Sequence, residues 1–112
     1  MVRSLVGLVT IVLFGGEAVW TATPNAASSF RQHVVDIRAF SFHPHRTVAS
    51  PGDTIVWINR DIVPHTVTAN DGTWRSQALE EGQSWEIVVE NRDGASYFCE
   101  FHPHMTGVVA AR

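Results

Sequence analysis

From residue 32 onward, apolar residues fall in short runs that alternate with polar ones, and turn-forming residues close each run. This pattern constrains the fold most, because successive side chains on a strand point to opposite faces. Val35, Ile37, Phe40 and Phe42 form one near-alternating set, and residues 47–49 form a second short segment. Ser50-Pro51-Gly52-Asp53 reads as a turn. Over residues 54–59, Ile55, Trp57 and Asn59 share one face, with Val56 and Ile58 on the other. A strand is expected over 65–69, a turn at Asn70-Asp71-Gly72 and an irregular stretch over 78–82. Over 84–90, Trp85, Ile87 and Val89 alternate with Glu86, Val88 and Glu90. Asn91-Arg92-Asp93-Gly94 reads as a hairpin turn, and residues 96–99 and 106–110 as the last two strands. Seven or eight short strands argue for an all-β fold, a β-sandwich or small Greek-key barrel, and the expectation adopted is a Greek-key sandwich with most of its aromatic residues in the core.

The first residues differ. Met1-Val2-Arg3 is a short basic start, residues 5–14 are nearly all apolar, and Gly15-Gly16 and Ala18 follow. That is the layout of a secretory signal, and the apolar run is shorter than the roughly 20 residues a membrane-spanning helix needs. The expected division is a signal peptide over residues 1–22, cleaved near 18–27, a linker over 23–31 and a single domain over 32–112. The competing reading keeps the segment as a membrane anchor. A mature chain of roughly 90 residues buries only about two thirds of its unfolded surface, and exported domains this small often add disulfides or a metal. A disulfide within the chain is excluded, since Cys99 is the only cysteine. An unpaired cysteine in an exported protein asks for a function.

Cys99 lies in Tyr97-Phe98-Cys99-Glu100-Phe101-His102-Pro103-His104-Met105, expected on the loop between the last two strands. Cys99, His102 and Met105 stand at i, i+3 and i+6. Soft thiolate and thioether, together with imidazole, select copper over magnesium, calcium or manganese. Two histidines and a cysteine in a plane, with a long axial methionine, form a blue-copper electron-transfer site. The second histidine must come from another strand, and His65, stiffened by the preceding Pro64, is the candidate. Structural zinc is disfavoured, because its usual ligand sets need at least two cysteines.

These segments carry a family resemblance. Gly52-Asp53-Thr54-Ile55-Val56-Trp57-Ile58-Asn59-Arg60-Asp61, then Pro64-His65-Thr66-Val67, then Tyr97-Phe98-Cys99-x-x-His102-Pro103-x-Met105-x-Gly107 resemble the small cupredoxins of the amicyanin and plastocyanin type. The short Cys-x-x-His-x-x-Met loop is most similar to the amicyanins. The resemblance spans roughly residues 33–112. It implies one mononuclear copper cycling between Cu(I) and Cu(II). His65 would be the buried ligand, Cys99 the thiolate, His102 the more exposed ligand and electron port, and Met105 the axial ligand. Two residues depart from the pattern. Thr66 stands where many relatives have an asparagine that ties the ligand loops together, and His104 stands where amicyanin-like loops have an apolar residue.

The functional expectation is an exported, monomeric one-electron carrier, periplasmic or otherwise extracytoplasmic, that docks briefly with redox proteins and is not itself an enzyme. The alternative is a copper-delivery or buffering protein using the same ligands, and an anchored accessory subunit of a larger redox enzyme ranks third. With a net charge of −3 and eight scattered arginines, no nucleic-acid partner is expected, and no membrane after signal cleavage. The His43-x-His45 pair is read as a turn around Pro44 rather than a second copper site, His33 as a surface residue and Glu80-Glu81 as a solvated turn.

Overall fold

The computed structural model describes residues 10–20, 29–90 and 94–112. Much of the expected signal peptide and linker, and most of the expected turn at 91–94, lie outside the described residues. Residues 10–20 are exposed and carry no helix or strand. Among the described residues, no helix is long and apolar enough to cross a membrane.

The described chain forms eight strands: β1 Gln32–Arg38, β2 Ser41–His43, β3 Arg46–Ala49, β4 Thr54–Asn59, β5 Thr68–Ala69, β6 Ser84–Val88, β7 Ala95–Cys99 and β8 His102–Ala111. They make two four-stranded sheets, ordered β2-β1-β4-β6 and β3-β8-β7-β5. The pairs β1/β4 and β3/β8 are parallel, and the other pairs are antiparallel. Parallel neighbours cannot be joined by a tight hairpin, so the chain leaves the first sheet at β3 and returns at β4. This crossing gives the expected Greek-key sandwich.

The alternation places the core between the sheets. Val35, Ile37, Phe42, Ile55 and Trp57 face inward from the first sheet, and Ala49, Tyr97, Cys99, Met105 and Val109 from the second. Trp57 is the hub: its ring centroid lies 5.3 Å from Tyr97, 5.6 Å from Trp74 and 5.9 Å from Trp85. Aromatic pairs of this kind contribute about 0.5–1.5 kcal/mol beyond area burial. Burial pushes the Tyr97 phenol up to about 12. The Tyr97 ring crosses β8 directly over Gly107, where any Cβ would overlap it.

Three elements differ from the sequence expectation. Phe40 is not a strand residue: it occupies, with Ala39, the two-residue turn between β1 and β2 and is half exposed. Both turn residues have positive φ, 50° and 55°, as a type I′ turn requires. Such turns favour Asn-Gly, so Ala-Phe gave no turn signal. The expected strand over 65–69 is reduced to β5, with His65 in a single bridge to Leu79. The last strand starts at His102 rather than at residue 106. His33 is also not simply a surface residue, since its Nε2 lies 2.9 Å from Asp53 Oδ2.

Asp53 anchors the start of β1. It accepts hydrogen bonds from the Arg31 and Ser50 N–H groups, and these with the His33 contact hold its carboxyl far below the usual carboxylate range. A depressed folded-state pKa contributes stability that is present above the unfolded value of about 4 and is lost as pH falls below it. Urea unfolding should therefore find Asp53→Asn weaker than wild type at neutral pH, with the gap closing as pH falls below about 4. Gly107→Ala should lower stability by about 1–3 kcal/mol or more through overlap with Tyr97, read from the denaturant midpoint.

Candidate metal centre

Cys99 closes β7 and His102 opens β8, so only Glu100 and Phe101 separate the two donors. The register shifts between Phe98 and Cys99, and irregularities of this kind re-aim a side chain at the end of a ladder. Cys99 is turned into the sandwich and is fully buried. His65 reaches the same place from the segment before β5. Its N–H donates to the Leu79 carbonyl at 3.1 Å and its carbonyl accepts from Leu79 N–H at 2.7 Å, and its side chain is fully buried.

The two histidines converge on the thiol. Cys99 Sγ lies 3.7 Å from His65 Nδ1 and 3.7 Å from His102 Nδ1. The three donor atoms lie within 4.8 Å of one another. Metal–sulfur and metal–nitrogen bonds of about 2.3 and 2.0 Å, opened to about 120°, put sulfur and nitrogen about 3.7 Å apart. The triad therefore has the spacing of a trigonal metal site, and its thiolate-imidazole chemistry suits copper. Met105, the fourth sequence candidate, is buried on β8.

Residues around the donors fix their orientation. Asp61 Oδ2 lies 2.8 Å from His65 Nε2. That contact assigns the Nε2 proton and leaves the Nδ1 lone pair facing Cys99. Asp61 in turn accepts the N–H groups of Ala39 at 2.8 Å and Phe40 at 3.1 Å. Burial pushes the Asp61 carboxyl up, but these hydrogen bonds and His65 outweigh it and leave its pKa below the ordinary value. Asn59 braces the loop from inside, donating to the Val63 and Leu79 carbonyls at 2.9 and 2.8 Å and accepting the Asp61 N–H at 2.9 Å.

Thr66 takes up the tying role expected of an asparagine. Its hydroxyl accepts the Glu100 N–H at 2.8 Å, and its own N–H points at Cys99 Sγ at 3.4 Å. The two donor segments are thereby joined at the thiol itself and at the residue that follows it. An Arg75–Glu100 ion pair at 3.1 Å adds an outer link, worth little because it is exposed.

Among the described residues, His65, Cys99 and His102 form the only such donor cluster. His33, His43, His45 and His104 are not part of it. His45 and His104 are exposed, and Pro44 does make a turn between β2 and β3. Asp61, Asn59 and Phe40 were not singled out from sequence as site residues. A carboxylate four residues before His65 was the available signal for Asp61.

Thr66→Val removes the acceptor while keeping the shape, leaving the Glu100 N–H unsatisfied at a cost of about 1–3 kcal/mol. Amide hydrogen exchange at Glu100 should quicken in Thr66→Val and stay slow in Thr66→Ser.

Comparison with known proteins gives the same picture. A model of copper-binding proteins of the plastocyanin/azurin family matches residues 31–111. Amicyanin of Paracoccus versutus is 27% identical over 81 residues, covering 68% of this chain and 61% of the relative. The chain thus spans less than two thirds of that relative's length. An oxidised amicyanin variant of known structure superposes with a TM-score of 0.68 at 26% identity, over 71% of this chain and 81% of the other. A copper-containing nitrite reductase from Thermus scotoductus shares the fold, with a TM-score of 0.67 at 20% identity over 72% of this chain and 22% of the other. With a family model matching across nearly all of the sandwich, the chain belongs to the plastocyanin/azurin family of copper-binding proteins.

Proposed function

We propose that the protein is a one-electron carrier in which His65 Nδ1, Cys99 Sγ, His102 Nδ1 and Met105 would hold a single copper ion. The observation that carries this reading is the convergence of three donors from two separate segments, with each imidazole Nδ1 3.7 Å from a buried thiol. When bound, the metal supplies a Cu(I)/Cu(II) couple.

The chain's own residues supply the rest. Asp61 holds His65 in one tautomer, and Thr66 holds the His65 and Cys99 segments in one register. A site whose donors cannot move rearranges little when its charge changes, which keeps the barrier to electron transfer low. His102 is half-buried, whereas His65 and Cys99 are fully buried. Its edge is the proposed port to a redox partner, reached through a small and brief contact.

Complete burial of His65 and Cys99 argues for a carrier over a delivery protein. A delivery protein must offer its donors to an acceptor. The proposed setting is periplasmic or otherwise extracytoplasmic, with residues 1–22 removed near 18–27 and the working domain beginning near residue 32. A monomer with transient redox partners fits this role.

The visible spectrum of copper(II)-loaded protein tests the assignment. An intense thiolate-to-copper band should appear, bleach reversibly with reductant and disappear in Cys99→Ser. A colourless product that still binds copper(I) would sink the proposed geometry.

A further inference from the structure

The turn between β1 and β2 is strained, and its strain is directed at the metal site. Ala39 and Phe40 both hold positive φ, 50° and 55°, a conformation that suits glycine and is unfavourable for a residue with a Cβ. Strain of this kind persists only where the surroundings over-determine it, and it gathers at functional sites. Here the determinant is the Asp61 carboxylate, which accepts both turn N–H groups and also contacts His65 Nε2.

The result is the placement of one ring. The Phe40 centroid lies 5.5 Å from the His65 imidazole and 5.0 Å from the His102 imidazole, perpendicular to both at 89° and 90°. The two imidazoles are themselves 5.2 Å apart, so the three rings form a closed triangle. Burial does not account for the ring, because Phe40 is 50% exposed. A glycine would relieve the backbone but could not reach the histidines.

We propose that Phe40 is a positioning residue of the metal centre: its ring blocks rotation of both ligand imidazoles and walls their outer side off from water. This rests on the ligand set proposed above. Asp61 and Phe40 then restrain His65 in complementary ways, one by a hydrogen bond at Nε2 and one by packing against the ring. For His102, Phe40 supplies a packing restraint from outside β8, the strand that carries it.

The test compares Phe40→Ala, Phe40→Tyr and Ala39→Gly in the copper-loaded full chain. Three quantities are read: the rate of copper loss to a copper(I) chelator after reduction, the position and shape of the visible copper(II) band, and the melting temperature of the copper-free protein. Losing an orienting partner of a metal ligand typically costs about 10–100-fold in affinity. Phe40→Ala should therefore release copper about tenfold faster or more and shift the band, with little change in copper-free melting. Phe40→Tyr should restore both signals. Ala39→Gly, which relaxes the turn but keeps the ring, should raise the copper-free melting temperature and leave release and band unchanged.

If Phe40→Ala does not fold, Phe40→Leu keeps apolar bulk without the flat ring and should still release copper faster. Wild-type release and an unchanged band in whichever of these two variants folds would overturn the proposal. So would equal effects from Ala39→Gly, which would assign the role to the backbone. The wild-type band separates the two readings. Its absence overturns the ligand set and Phe40 with it, and its presence beside an indifferent Phe40 variant overturns only the role of Phe40.

Discussion

Two stretches of chain far apart in sequence must meet in a dry place with their donors facing each other. The contact that imposes this is the Thr66 hydroxyl accepting the Glu100 N–H at 2.8 Å. Thr66 follows His65 directly and Glu100 follows Cys99 directly, so one hydrogen bond sets the spacing of a histidine and a thiol. The Thr66 N–H aimed at Cys99 Sγ adds a second tie in the same place. Neither contact would form without the sandwich, which brings the segment before β5 alongside the end of β7 through the Thr68–Phe98 and Ala69–Tyr97 pairs.

The surrounding polar groups serve the same end. A histidine buried as fully as His65 needs a partner for its second nitrogen, and Asp61 provides it. Asp61 in turn needs donors, and the turn at Ala39 and Phe40 provides them. Positive φ at two residues with side chains costs on the order of 1 kcal/mol each. The hydrogen bonds to a carboxylate offset that cost, since charged acceptors make the stronger bonds. The chain of contacts therefore runs from a strained turn through a carboxylate to a donor histidine, with Asn59 bracing the loop between.

The strands were legible where burial on one face made the sequence alternate. Ile55, Trp57 and Asn59 point inward as their spacing required, as do Val35 and Ile37. Phe40 was misplaced because a type I′ turn built from Ala-Phe carries none of the glycine or asparagine that marks such turns. The segment at 65–69 was over-extended because His65 and Val67 are held by Leu79 and by the Ser76 hydroxyl rather than by a regular ladder. Cys99 and His102 were legible because their chemistry depends on residue type and on a spacing of three, and His65 because it stood on a separate expected strand; the structure brings the three donor atoms within 4.8 Å of one another. Its support was not, because Asp61, Asn59 and Phe40 act through angles and distances that spacing alone does not encode. Thr66 was visible as a departure from pattern, and only the structure shows its hydroxyl taking up the tie.

The central claim is that the donors are held in place by the protein before any metal arrives. A pair of crystal structures, copper-free and copper(II)-loaded, tests it most directly. Preorganisation predicts that His65, Cys99, His102, Asp61 and Thr66 superpose within about 0.5 Å, with the Asp61–His65 and Thr66–Glu100 contacts intact in both. A copper-free form in which His65 swings away from Cys99, or Asp61 releases it, would contradict the claim and make the metal the organiser of its own site.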